Sequence, residues 1–209
     1  MITVSCDAQD DAFRSGCDRV ARAIRRLAVG RDRPLLVAID GRSGAGKSTL
    51  AASVSAQLAA VVVEGDDFCA GGSDAEWTGR TAAERADACI DWRRLRSDVL
   101  EPLLAGRAAV WRPFDVAAGG GPGARTVTRD PAAVVLLDGV YSGRPELSDL
   151  VDLAVLVEAA DDHVRRGRLV AREGAVFMRA WHALWDAAED HYFTHVRPRQ
   201  SFDLVISVA

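Results

Sequence analysis

Lysine occurs once in this chain, at a position where an ammonium group could perform chemistry. The sequence carries 26 basic residues, and Lys47 is the only one that is not arginine. It lies in a segment that fits the pattern G-x-x-x-x-G-K-[ST]: Gly41-Arg42-Ser43-Gly44-Ala45-Gly46-Lys47-Ser48. In this pattern backbone N–H groups surround phosphates, the lysine meets the β- and γ-phosphates, and the hydroxyl contacts Mg²⁺. A planar guanidinium is not interchangeable with the compact ammonium there, so the segment predicts binding of a nucleoside triphosphate with Mg²⁺.

A strand and a helix must flank this segment if it is to form a phosphate loop. The apolar run at 35–39 precedes it and is typical of a buried parallel strand. Residues 48–60 follow it, with Leu50, Val54 and Leu58 at helical spacing. Such a segment also arises by chance in glycine-rich chains, but the order of strand, loop and helix favours phosphate binding. We call residues 41–48 the phosphate loop, and the predicted ATP contacts are Gly41, Ser43, Gly44, Ala45, Gly46, Lys47, Ser48 and Thr49.

Acidic side chains end two further apolar runs. Asp138 follows the run at 133–137, and the cluster of Glu64, Asp66 and Asp67 follows another. Ligands of open α/β folds collect at the carboxyl edge of the sheet, so we expect these acids beside the phosphate loop. Asp138 is a predicted Mg²⁺ ligand, directly or through water, and the cluster suits a general base that deprotonates a hydroxyl nucleophile. Each segment could instead be an ordinary turn.

A set of arginines shares one face of a predicted helix. Arg165, Arg168 and Arg172 are spaced i, i+3, i+7, with Arg166 about 100° away around the helix. Arginines that close over phosphates stabilise the charge of phosphoryl transfer and exclude water. We therefore predict a lid at residues 162–174; a solvated basic face paired with nearby acids is the alternative.

The remaining elements indicate how these side chains are positioned. Five apolar runs besides the first alternate with helical stretches, which predicts a doubly wound α/β fold with a mostly parallel sheet of about five strands. An amphipathic helix is expected at 10–29. Residues 111–130 contain a glycine-rich stretch and a strand that could return from it at 125–128. We call 111–130 the flap; it is predicted to cover a substrate, and a solvated loop without function is equally open.

The composition narrows the classes of function. The chain has 209 residues, 49% of them hydrophobic, a formal net charge of −4 and a pI of about 5.6. It lacks the positive field that follows nucleic-acid backbones, so polymer binding is not expected. No apolar stretch approaches the ~20 residues that span a bilayer, and the acidic N-terminus does not read as a signal peptide. We expect a single cytoplasmic domain that acts on a small molecule away from membranes, and a homo-oligomer is left open.

Taken together, the motifs resemble the uridine kinase group of P-loop kinases, which includes relatives acting on pantothenate and ribulose phosphate. The resemblance covers residues 34–207 and rests on motifs in the same order: 41–49, Gly65-Asp66-Asp67-Phe68, Ile90-Asp91, 110–115, Leu137-Asp138-Gly139 and Arg168-x-x-x-Arg172-Glu173. It implies ATP-dependent phosphorylation of a hydroxyl, in that group the 5′-hydroxyl of a nucleoside.

The resemblance also implies roles for individual residues. Asp66 corresponds to the catalytic base in D-x-F and is included with Ser48 and Asp138 in the predicted Mg²⁺ site. Asp91 corresponds to the acid that binds the ribose hydroxyls, and Phe114 to the aromatic that borders the base. Tyr141 is a further predicted substrate contact. With Lys47, the predicted catalytic residues include the lid arginines Arg168 and Arg172.

This sequence differs from the uridine kinase group at positions that would contact the phosphoryl acceptor. Cys69 replaces an aromatic residue, Phe114 replaces a tyrosine, and the histidine that reads a pyrimidine edge is absent from 117–119. A pocket rejects analogues only through polar groups that it must satisfy, so pyrimidine specificity does not follow. A kinase for a non-nucleoside alcohol and a nucleotide-binding regulatory protein therefore stay open beside a nucleoside kinase.

Overall fold

The computed structural model describes residues 6–116, 120–173 and 175–208, with side chains described within 11–116, 120–172 and 183–208. Within these ranges, no helix combines the length and apolar character needed to cross a membrane. The helices and strands follow one another along the chain as α1 Cys6–Ala28, β1 Leu35–Asp40, α2 Lys47–Leu58, β2 Val61–Glu64, α3 Asp74–Gly79, α4 Ala82–Ala88, α5 Trp92–Leu95, α6 Glu101–Leu104, β3 Ala109–Trp111, β4 Phe114–Asp115, β5 Gly121–Pro122, β6 Val127–Arg129, β7 Val134–Asp138, β8 Leu153–Ala159, α7 Asp162–Glu173, α8 Ala175–His191 and β9 Leu204–Val208.

The central sheet has five strands, all parallel, in the order β2-β7-β1-β8-β9. Every residue of β1 and of β7 is buried, as expected of apolar strands covered on both faces. The predicted doubly wound α/β fold with a mostly parallel five-stranded sheet is confirmed. From β1 the chain continues to strands on one side of it, β2 and β7, and then to strands on the other side, β8 and β9. Open α/β sheets bind ligands at the position where the strand order reverses in this way.

Alternating residues of the strands point to two separate cores. On one face, α1 and α2 pack against Leu35, Val37 and Ile39 of β1, with Cys17, Val20 and Leu50 among the contacts. On the other face, Leu36 packs with residues of the segment 92–104 and of the C-terminal part of α8. The phosphate loop leaves β1 at the carboxyl edge between these two layers.

Three predicted elements differ in detail from the structure. The helix expected at 10–29 runs Cys6–Ala28. The helical stretch at 92–104 is interrupted by a π-helical turn at Arg96–Leu100, after which Pro102 occupies the first turn of α6. The last strand begins at Leu204 rather than 202, because a 3₁₀ turn at Arg199–Ser201 precedes it. All three differences concern boundaries, which local tertiary contacts decide.

The flap contains two short antiparallel pairs. β3 pairs with β6, so the strand expected to return near 125–128 is present at Val127–Arg129. Inside this pair, β4 pairs with β5. A side chain at Gly71 would lie 1.8 Å from the carbonyl oxygen of Gly120, so the flap approaches the loop after β2 closely. Residues 117–119 of the flap and 174 of the lid lie outside the described residues.

Candidate active site

The phosphate loop has a backbone that requires glycine. Gly41, Gly44 and Gly46 have φ of 149°, 78° and 104°, values that other residues rarely adopt. A Cβ at Gly41 would lie 2.2 Å from the carbonyl oxygen of Val157 on the neighbouring strand β8. The loop therefore turns tightly against the sheet and leads directly into the first turn of α2, where N–H groups have no partner inside the helix. This is the geometry that binds anions at helix N-termini.

Lys47 is the first residue of α2, and only 8% of its surface is exposed. Its Nζ donates a hydrogen bond to the carbonyl oxygen of Arg42, 3.1 Å away, on the opposite side of the loop. The ammonium therefore lies across the loop, with donor capacity left for a phosphate oxygen.

Asp40, which the sequence analysis did not select, supports the base of the loop. It is fully buried and accepts hydrogen bonds from the N–H groups of Gly41 at 2.8 Å, Tyr141 at 2.9 Å and Gly143 at 2.8 Å, and from the Tyr192 hydroxyl at 2.9 Å. Burial raises the pKa of Asp40, and these donors oppose that rise. An acid at the end of an apolar strand, directly before the first glycine, was the available signal.

Asp138 ends β7 beside the phosphate loop. The register places it next to Ile39 of β1 and Glu64 of β2. It is buried and, among the described residues, its Oδ1 has no hydrogen-bond partner. Burial raises the pKa of Asp138, while the Ser48 hydroxyl and the Lys47 ammonium lower it. A buried acceptor oxygen without a partner suits a cation.

The residues at this edge fit Mg²⁺ bound together with a triphosphate. In the described part of the chain, no three His, Cys, Asp or Glu side chains form a metal-binding group of their own. Mg²⁺ needs no such group, because it is usually held by one or two carboxylates, waters and substrate phosphates. Asp138 and Ser48 are the residues that would hold it, and a contact from Asp66, the third residue of the predicted site, stays a prediction.

The turn after β2 separates two neighbouring acids. Residues Gly65–Phe68 form a 3₁₀ turn in which Asp66 is exposed. Gly65 approaches the backbone of Asp138 and Gly139 closely, so the turn lies against the end of β7. Asp67 points elsewhere: its Oδ2 accepts a hydrogen bond from Trp111 Nε1 at 2.7 Å. A Cβ at Gly139 would lie 3.9 Å from Asp66 Oδ1, so Asp66 is the exposed acid of this turn whose carboxylate lies beside the end of β7.

Arg165 is buried at the contact between the lid and the phosphate loop. Its Nη1 donates to the carbonyl oxygen of Ser43 at 3.2 Å, and its Nη2 donates to Asp186 Oδ1 at 3.0 Å. Nε donates to Asp162 at 2.8 Å. Arg165 belongs to the predicted arginine face, but it is buried, and its contacts join α7 to the phosphate loop and to α8.

The other lid arginines differ in their distance from the loop. Nη1 of Arg168 lies 3.4 Å from the carbonyl oxygens of both Gly44 and Ala45. Arg172, one further turn along α7, is exposed. Arg166 is also exposed and pairs with Asp162 in the same helix. Of this group, Arg168 is the guanidinium that the fold places directly at the phosphate loop.

The predicted acceptor contacts have three different environments. Asp91 is the N-cap of α5: its Oδ1 accepts the N–H of Arg94 at 3.1 Å, and its side chain is 49% exposed. Phe114 is half-buried in the flap pair β4 and β5. Tyr141 is 3% exposed and packs edge-on against Tyr192, with ring centroids 4.8 Å apart. The predicted contact between Tyr141 and a substrate stays a prediction: its ring packs in the core, and its hydroxyl is buried without a hydrogen-bond partner among the described residues.

Solved kinase structures share this fold. The possible uridine kinase from Bacillus stearothermophilus aligns with 92% of this chain and 98% of its own, at 23% identity and a TM-score of 0.67. D-glycerate 3-kinase from Cryptococcus neoformans aligns over 92% and 95%, at 13% identity and 0.63. A candidate fructose transport system kinase from a Silicibacter species aligns over 90% and 98%, at 24% identity and 0.58. No protein-family model and no curated protein sequence matches the chain.

The fold is that of the uridine kinase-like P-loop kinases. In this P-loop kinase fold the carboxyl edge brings together Lys47, Asp66, Asp138 and Arg168, which are far apart in sequence. Sequence analysis missed one further residue at the loop besides Asp40, and for this residue the sequence held no signal. Glu189 of α8 is buried and hydrogen-bonded to Ser43. It lies in a helix whose amphipathic pattern gives no indication that it faces a loop formed 146 residues earlier.

Proposed function

We propose that this protein transfers the γ-phosphoryl group of ATP to a hydroxyl of a small molecule. The observation that carries the proposal is the pairing of an accessible carboxylate, Asp66, with a buried unpartnered carboxylate oxygen, Asp138 Oδ1, beside one phosphate loop. A loop that only binds a nucleotide needs no accessible base next to it. The kinase names of the structural neighbours support the same chemistry.

Each residue then has a distinct task. Lys47 and the N–H groups of the loop bind and orient the triphosphate. Mg²⁺, held by Asp138 and Ser48, would neutralise charge on the phosphates. Asp66 accepts the proton of the attacking hydroxyl, and Arg168 stabilises charge on the transferring group while the lid excludes water.

For the acceptor we propose a nucleoside or nucleoside-like compound phosphorylated on its 5′-hydroxyl. Asp91 and Phe114 belong to elements that contact the turn carrying Asp66: the N–H of Asp91 donates to the carbonyl oxygen of Phe68 at 2.8 Å, and β4 contacts the same turn. One observation favours the second candidate, a non-nucleoside alcohol. Asp91 already uses Oδ1 to cap α5, and its Oδ2 lies 3.9 Å from Nε of Arg94, so less of its acceptor capacity remains for the two hydroxyls of a ribose. The names of the neighbours, a uridine kinase and a glycerate kinase, include both kinds of acceptor.

A ribonucleoside is expected to be phosphorylated at least about 10-fold better than its 2′-deoxy analogue, because Asp91 would lose a hydrogen-bond donor. Discrimination among bases should be weak, since the pyrimidine-reading histidine is absent. The measurement is ADP release over a panel of ribonucleosides, deoxyribonucleosides, pantothenate, glycerate and simple sugars, with Asp66→Asn as the blank.

Each outcome of this panel has a separate meaning. Turnover of a non-nucleoside alcohol alone would retain the kinase chemistry and withdraw the nucleoside. ATP binding without acceptor-dependent ADP release over the whole panel would favour the regulatory protein. Asp91→Asn should abolish the preference for the ribonucleoside if that preference arises from this carboxylate.

Arg168→Ala is expected to slow turnover more than it weakens ATP binding, because a lid charge acts mainly on the transition state. Arg172→Ala should act in the same direction. Arg166→Ala is the matched control, since Arg166 lies on the same helix, is exposed and pairs with Asp162. Steady-state kcat and calorimetric ATP affinity separate the two effects. Equal small effects in all three variants would indicate a solvated basic face.

A further inference from the structure

The carboxylate of Glu189 makes three hydrogen bonds with a single residue of the phosphate loop. The N–H of Ser43 donates to Oε1 at 3.2 Å and to Oε2 at 3.3 Å, and its hydroxyl donates to Oε1 at 2.5 Å. The carbonyl oxygen of Ser43 accepts from Arg165 Nη1. The N–H, hydroxyl and carbonyl of Ser43 are thus each bonded to α7 or α8.

Glu189 and Arg165 form part of a buried charged network. Each residue of this pair is 3% exposed, and the closest nitrogen and oxygen lie 4.0 Å apart. Arg165 is also paired with Asp162 and Asp186. Buried charges are tolerated only when they are paired and hydrogen-bonded, so Glu189 has little freedom to leave Ser43.

The position of Ser43 matters for the groups that would meet phosphate. Ser43 directly precedes Gly44, where the backbone takes a φ of 78°, and α2 begins four residues later at Lys47. Holding both peptide groups of Ser43 therefore restricts the orientation of the N–H groups that follow. Donors that are oriented before binding cost no reorganisation when the phosphate arrives.

A second contact, made by Tyr192, shows that α8 would pack against the loop without the hydrogen bonds of Glu189. Tyr192, just beyond the end of α8, donates its hydroxyl to Asp40 Oδ2 at 2.9 Å. This contact already holds the end of α8 at the base of the loop. The hydrogen bonds between Glu189 and Ser43 are made in a different part of the loop. They are therefore not needed to attach α8 to the loop, and they fix the orientation of Ser43 instead.

We propose that Glu189 is a positioning residue for the phosphate loop and acts through Ser43. The inference rests on the proposed function, because it assumes that this loop binds ATP. Without the carboxylate, the N–H and hydroxyl of Ser43 lose their acceptor and the loop samples other orientations. ATP affinity should then fall, while the KM for the acceptor stays the same.

The test compares Glu189→Ala with Glu189→Gln by calorimetric titration with Mg·ATP. The alanine variant should bind ATP more weakly by on the order of 10-fold. Both donors of Ser43 reach Oε1, so the carbonyl oxygen of glutamine can serve them and binding should stay within about threefold of wild type. Glu101→Gln is the control, since Glu101 pairs with Arg96 in a half-exposed contact away from the loop. Thermal unfolding of each variant shows whether it is folded at the assay temperature.

Ser43→Ala provides an independent check on the same contact. Combined with Glu189→Ala, it should weaken ATP binding no more than about twofold beyond Glu189→Ala alone, because both changes remove one interaction. An ATP affinity of Glu189→Ala equal to that of wild type and of Glu101→Gln would overturn the inference. So would a glutamine variant that binds ATP tighter than wild type, which would show a carboxylate competing with phosphate.

Two further outcomes are separable. If Glu189→Ala does not fold, Glu189→Gln and Ser43→Ala decide the question together: glutamine binding within about threefold of wild type with a clear loss of ATP affinity in Ser43→Ala supports the role through Ser43, and wild-type affinity in both variants contradicts it. If wild-type protein itself binds no ATP, the proposed function fails, and the positioning role fails with it. A failure confined to the Glu189 variants leaves the proposed function standing.

Discussion

Lys47→Ala is expected to lower kcat for phosphoryl transfer by a factor on the order of 10³ while the fold is retained. The ammonium lies across the phosphate loop, where it is bonded to the carbonyl oxygen of Arg42. Alanine is well suited to the first turn of α2, so the helix should persist. The measurement is kcat with the best acceptor of the panel, with circular dichroism to check the fold.

Binding measurements on the same protein supply the controls. Mg·ATP at a hundredfold excess over Kd should stabilise wild type by about 2.7 kcal/mol, and Lys47→Ala should lose most of that gain. Lys47→Arg keeps the charge but introduces a planar fork, so it should behave more like the alanine variant than like wild type. Wild type that shows no ATP-dependent shift in thermal unfolding would contradict nucleotide binding at this loop.

Asp66→Asn is expected to reduce kcat by a factor on the order of 10² to 10⁴, with ATP affinity little changed. The amide cannot accept the proton of the attacking hydroxyl, yet it has the size of the carboxylate and keeps the 3₁₀ turn intact. Steady-state kinetics with calorimetric ATP binding check both parts of the expectation.

Asp67→Asn is the matched control in the adjacent position. The Asp67 carboxylate accepts a hydrogen bond from Trp111 Nε1, and an asparagine oxygen can accept the same bond. Its effect on kcat should therefore stay well under 10-fold. If Asp67→Asn proved the more damaging change, the base would be assigned one residue too early.

Some features of this protein could be predicted because they depend on neighbours in sequence. The glycine-rich loop requires positive φ at Gly41, Gly44 and Gly46, and glycine is the residue that permits it. The apolar runs that end on Asp138 and near Asp66 are buried strands of one parallel sheet. Because parallel strands end at a common edge, the positions of these acids beside the loop followed from the strand assignment alone.

Other features depend on contacts between distant segments, and only the tertiary structure decided them. The Asp67 carboxylate accepts a hydrogen bond from Trp111, whereas the Asp66 side chain is exposed, although the two acids are adjacent in sequence. Tyr141 follows the Asp138 motif like a site residue, but its ring is packed against Tyr192.

Sequence by itself thus determined the phosphate loop, the sheet and the acids at its edge, since periodicity and glycine placement report local backbone conformation. The tertiary structure decided which polar side chains face the loop and which support it from behind. Glu189 and Arg165 illustrate the reason: in sequence Glu189 looks like an ordinary charged helix residue and Arg165 like a lid arginine, and both became buried partners of Ser43 only when α7 and α8 packed against the loop. The spacing of a charged side chain within a helix does not indicate which part of the fold that side chain will contact.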